Sequence, residues 1–167
     1  MRDMKSLWER LIEILEKESA LYRDILDLSR HKTNTIVEGR VSQLEQLTGV
    51  EQRLLLSVGG LEQQREEVVD QLARRLGIPA DELNISVAVE QAEDELKEKL
   101  VALKEEIENT LKDLKEVNDL NSELIKKSLE YIDFSINLIA GGPEDVTYDA
   151  KKGRDKSKGA SFFDQKV

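Results

Sequence analysis

Apolar residues recur along most of this chain at steps of three and four, the period of a helix with one buried face. Across residues 4–38 the stripe reads Leu7, Leu11, Ile14, Leu21, Ile25, Leu28 and Ile36. Ile12, Leu15 and Leu26 widen it to a face that can meet two neighbours. Gly39 predicts the stop or turn, because glycine enters the left-handed conformation that ends helices. A second stripe, Val41, Leu44, Leu47, Leu54, Val58, Leu61, Val68, Leu72 and Leu76, predicts a helix over residues 41–76. Gly59 and Gly60 interrupt it without shifting its phase, which predicts a kink or a close helix contact there. Gly77 ends it, with Pro79 two residues on.

Residues 78–86 read as a connection, in which residues 79–83 can form a single turn started by Pro79. Ser86 is placed to cap a third helix over residues 87–140. Its stripe is the longest: Leu96, Leu100, Leu103, Ile107, Leu111, Leu114, Asn118, Asn121, Ile125, Ser128, Ile132, Ser135 and Ile139. No glycine or proline interrupts it before Gly141, Gly142 and Pro143.

These lengths predict an all-α fold, an antiparallel bundle of three long helices. A helical hairpin closed at Gly39 is followed by a longer helix returning alongside the second. At about 1.5 Å per residue the first two helices are each roughly 50 Å long and the third roughly 80 Å. The third should therefore outrun its partners, from about Asn121 to Ala140. That end is the most apolar and aromatic part of the chain, with Leu124, Ile125, Leu129, Tyr131, Ile132, Phe134, Ile136, Leu138 and Ile139. A long apolar helix face without an internal neighbour needs a partner: a client protein, a second copy or the chain's own tail.

Composition sharpens this picture mainly by exclusion. The 167 residues contain no cysteine, a single histidine, two prolines and seven aromatics against 24 leucines. Disulfides and thiolate metal sites are thereby excluded. The net charge of −10 argues against nucleic acid as a partner, since phosphate contacts need a basic face. No stretch approaches the roughly 20 apolar residues of a membrane span, and the start of the chain has no apolar signal segment. A cytoplasmic protein is the expectation. The charge is uneven. Residues 1–140, read as the helical domain, hold nineteen basic and thirty acidic residues, whereas residues 141–167, read as a flexible tail, hold six and five.

No catalytic constellation stands out. His31 lies in a polar stretch, and the residue three before it is Leu28, so the Glu-x-x-His pattern of a di-metal bundle is missing. Adjacent glutamates such as Glu66–Glu67 and Glu105–Glu106 read as solvated helix faces. No phosphate-binding glycine loop or nucleophile elbow occurs. The expectation is a binding protein, not an enzyme, without metal or cofactor.

Residues 117–132, VNDLNSELIKKSLEYI, carry two asparagines three apart and then a leucine-rich stretch with a serine. This resembles the late helix of the FlgN family of flagellar export chaperones. The tail is similar too: Thr147–Tyr148, then Gly153, then Phe162–Phe163–Asp164. The resemblance implies an all-helical cytoplasmic chaperone. It would bind hook-associated proteins of the hook–filament junction, shield their terminal helices and deliver them to the flagellar type III export gate. On that reading Asn118, Asn121, Leu124, Ile125, Ser128, Leu129 and Ile132 contact the client and Tyr148 docks on the export apparatus. The free protein would be a monomer or weak dimer. The residues alone leave other readings open. Asn118 and Asn121 could fix helix register or face water, the strip could be a dimer seam or core, and Tyr148 could fold back. A structural coiled-coil protein or a helical regulator of another cytoplasmic factor would show the same pattern.

Overall fold

The computed structural model describes residues 3–141, and everything in those residues that is regular is helical. Helix α1 spans Met4–Val37, α2 Val41–Leu76, α3 Ile85–Gln91 and α4 Asp94–Ala140, with a 3-10 turn at Ala80–Glu82. The long helices end where the glycines predict. Gly39, Gly77 and Gly141 all have positive φ, at 66°, 68° and 71°. At the first, Gly39 N–H donates to Ile36 O at 3.1 Å and Arg40 N–H to Thr35 O at 3.1 Å. These bonds satisfy carbonyls the helix leaves open and reverse the chain into α2.

Three expectations are corrected. The third helix is not continuous from residue 87: a short α3 precedes α4, and the break falls at Ala92 and Glu93, both extended. Asn84, not Ser86, caps α3, its Oδ1 accepting from Val87 N–H at 2.9 Å. The reason lies in burial. Leu83, Ile85 and Ala88 are almost wholly excluded from solvent and join Leu7, Trp8 and Leu11 in the core. Folding α3 back on α4 buries them, whereas one straight helix would carry them past the start of α1. The single stripe of α4 begins only at Leu96, and α3 is apolar on several sides.

The second correction concerns which helix is central. Both α2 and α4 pack extensively on α1, and no comparable contact joins α2 to α4. The wide face of α1 decides this. Leu7, Leu11 and Ile14 are buried, and so are Trp8, Ile12, Leu15 and Leu26 around them. Third, of the kink or close helix contact expected at Gly59 and Gly60, the close contact is absent among the described residues: a Cβ on either would meet nothing within 4 Å.

The side-chain pairs fix the directions. Glu18 meets Arg65 and Lys32 meets Glu51, so α2 descends as α1 ascends. Arg23 meets Glu106 and Ser29 meets Asn121, so α4 ascends with α1. The apolar core sits toward the α3 end, and packing becomes polar toward the Gly39 turn.

Candidate partner-binding site

The stripe with which α4 covers α1 runs through Leu100, Leu103, Ile107 and Thr110, all buried, to Asn121. Asn121 is 5% exposed. Its Nδ2 donates to Ser29 O at 2.9 Å, and its Oδ1 accepts from Thr33 Oγ1 at 2.5 Å. Both ends of the amide are thus engaged by α1, and the pairing sets the register of the two parallel helices. From that register, the last residue of α1, Val37, stands level with about residue 125.

Beyond this level α4 continues for about 15 residues, or roughly 23 Å, without a neighbour among the described residues. The overhang therefore starts near Ile125 rather than at Asn121. Past the end of α1 the stripe continues in phase as Ile125, Leu129, Ile132, Ile136 and Ile139, all exposed. A second row, Tyr131, Phe134 and Leu138, flanks it and is exposed as well, Tyr131 by 71% and Leu138 by 67%. Ser128 and Ser135 lie between the rows, seven residues apart. Their hydroxyls donate back to Leu124 O at 2.8 Å and Tyr131 O at 2.9 Å. Their polarity is spent inside the helix, so the middle of the strip is narrow and asks nothing of a partner. Lys126, Glu130 and Asp133 take the opposite side. At the base of the overhang the α1–α2 turn adds Val37 and Val41, each about two-thirds exposed.

Of the seven residues expected to meet a client, Ile125, Ser128, Leu129 and Ile132 share the open strip, and Leu124 is half-buried at its edge. Asn118 is exposed one turn lower, beside the body. Asn121 is taken up by α1. Tyr148 lies outside the described residues.

A buried polar cluster escaped the sequence reading. Arg65 Nη1 donates to both carboxylate oxygens of Glu18, at 2.8 and 2.7 Å, with both side chains almost fully buried between α1 and α2. Tyr22, itself buried, lies close enough to feel the charges of this pair. Burial lifts the Glu18 carboxyl above its usual range, against the pull of the guanidinium. Burial, with Glu18 and Glu62 nearby, pushes Tyr22 up to about 12. A signal was present in the stripes. Each skips two helical steps; one gap in each, from Ile14 to Leu21 and from Leu61 to Val68, is filled by Glu18 and Arg65 respectively. The cluster is closed to solvent and ties the hairpin together.

Among the described residues no group of three or more His, Asp or Glu side chains is placed to hold a metal ion. His31 is exposed. No described helix is long and apolar enough to cross a membrane. What this surface offers is an amphipathic helix face, which can act by taking another helix against it.

Comparison with known proteins agrees with that geometry. Residues 1–156 match the family described as FlgN protein. The chain belongs to the FlgN family, a family of flagellar export chaperones. It is 26% identical over 159 residues to the uncharacterized protein YvyG of Bacillus subtilis (strain 168), covering 94% of this chain and 97% of that one. No solved structure matches the chain.

Proposed function

We propose that this FlgN-family chain serves flagellar export by laying the open end of α4 against the terminal helices of hook-associated proteins. One observation carries the reading. The stripe that α1 covers in the body of the bundle continues in phase beyond the end of α1, with none of the described residues on it. A client helix placed there would take up the position of α1, against Ile125, Leu129 and Ile132, with Leu124 and Ser128 in contact. Ser128 and Ser135 allow close approach between the two apolar rows. Asn118 borders this surface, and Asn121 holds the helix that presents it. The chaperone acts in the cytoplasm, and Tyr148 is its contact with the export gate.

The client's terminal helices need such cover, because they associate through apolar faces that would otherwise pair early. The net charge of −10 keeps the free chaperone dispersed despite its exposed strip. The reading involves no chemical step.

The test is light scattering after size exclusion, with calorimetry, on the chaperone and a purified hook–filament junction protein. A stable one-to-one complex is expected. Leu129→Glu would put a charge into the buried interface, costing several kcal/mol and at least about a hundredfold in affinity, with helicity unchanged. Unchanged affinity in that variant would refute the strip as the client site. A tight dimer that no client dissolves would favour a structural coiled coil.

A further inference from the structure

We infer that the open end of α4 takes two helices of one client at once, one against each of its two apolar rows. This rests on the client reading and adds to it the number of helices the partner must supply.

Each row is a helical seam in its own right. Ile125, Leu129, Ile132, Ile136 and Ile139 follow one another at steps of four and three. So do Leu120, Leu124, Lys127, Tyr131, Phe134 and Leu138 in the second row. That alternation is the pattern with which a helix meets one neighbour along its length. At about 100° per residue the two seams lie some 140° apart around the helix, with Ser128 and Ser135 between them. Lys127 adds its aliphatic stem to the second row, and Glu123 holds its ammonium at 3.2 Å.

The width of the apolar arc distinguishes one neighbour from two. In the body of the bundle the buried residues of α4, from Leu100 to Asn121, fall within about 80° of its circumference, as suits a single neighbour. Beyond α1 the arc from Leu129 through the serines to Phe134 opens to about 220°. One neighbouring helix covers a stripe of about 100°. A comparably wide face is already present on α1, which turns Glu18 and Lys32 to α2 and Ser29 and Thr33 to α4. That helix has two neighbours.

Area leads to the same number. With about 200 Å² for a fully open residue of this size, each row exposes roughly 500 Å². A stable interface takes about 800 Å² from each partner. One row falls short of this, and the two together exceed it. The rows also differ in kind: the first is wholly aliphatic, and the second carries Tyr131, Phe134 and Lys127, so they suit two unlike helices. A second copy of this chain is a poorer occupant, because it would bring one overhang alongside and leave a row open.

The chain has no cysteine, which allows cross-linking from chosen points. Leu129→Cys and Phe134→Cys, each in the full chain, are labelled with a benzophenone maleimide and irradiated with the purified hook–filament junction protein. Peptide mapping then identifies the client segment captured from each row. Two different helical segments are expected. The same segment captured from both rows would overturn the inference, since one helix would then span the strip. So would client capture from one row alone, with the other row silent or joined to a second chaperone or to the chain's own residues 142–167. In each of these cases the client reading stands. Capture of the client from neither row would sink both. Phe134→Glu should weaken the complex at least about tenfold, while Leu129→Cys in the same chain still captures its own segment. Unchanged affinity in Phe134→Glu would overturn the second seam.

Discussion

Removing the guanidinium from the buried pair tests what holds the hairpin on which α4 is seated. In Arg65→Met the volume is roughly kept, but the Glu18 carboxyl, 0% exposed, loses the guanidinium bonded to it. Stripping one partner from a buried ion pair costs about 3–5 kcal/mol. Against a total stability of about 5–15 kcal/mol this is severe. With a urea dependence of about 2 kcal/mol per molar, the midpoint should fall by about 2 M. The loss has a pH signature. Burial already raises the Glu18 carboxyl above its ordinary value, and Arg65 is what pulls it down. Without Arg65 it rises further. A raised carboxyl contributes stability that is fully present below the unfolded value of 4.5 and is lost as pH climbs through the folded value. The deficit of Arg65→Met should therefore be smaller at pH 5 than at pH 7. The double variant Glu18→Leu, Arg65→Met should return to within about 1 kcal/mol of the parent, since an apolar replacement of a buried pair is near neutral. Urea titrations followed by circular dichroism at both pH values measure all of this. A loss below about 1 kcal/mol, or an equal loss at the two pH values, would refute the argument.

Asn121→Ala removes two hydrogen bonds, while Thr33 Oγ1 keeps Ser29 O as a partner at 3.2 Å, so urea denaturation should show a loss of about 1–3 kcal/mol. The same variant, with its register pin gone, should also show faster amide exchange in α4 near residue 121. Tyr22 should ionise only around 12, so Tyr22→Phe should delete the last step of an absorbance titration. A raised phenol means that its contribution to stability holds up to the ordinary value of 10.0 and drains away above it, as the fold is pulled toward the ionised, unfolded chain.

Part of this protein could be read residue by residue. The period of Leu96 through Ile139 marks α4, and Gly39, Gly77 and Gly141 mark the ends of the three long helices, because helical period and left-handed glycine are local properties. The strip was legible for the same reason, since apolar residues remain on a face whether or not something covers them. The α3–α4 break was harder. No glycine or proline stands at Ala92 and Glu93, and the bend exists to bury Leu83, Ile85 and Ala88 under a bundle end that the local pattern does not describe. Glu18 and Arg65 were visible only as gaps in two stripes, and their complementarity became apparent once α1 and α2 were in register.

The sequence by itself determined three long helices, their glycine-marked C-terminal ends, the distribution of charge and a last helix too long for its partners. Each follows from interactions within a few residues of chain. Tertiary structure decided the rest: that α1 is the central helix, that Asn121 faces Ser29 and Thr33 rather than a partner, and that the open strip therefore begins near Ile125. Those facts depend on contacts between residues 88 and 92 positions apart. Such contacts are chosen by how two apolar faces fit, and a stripe specifies that it must be covered without specifying by which neighbour.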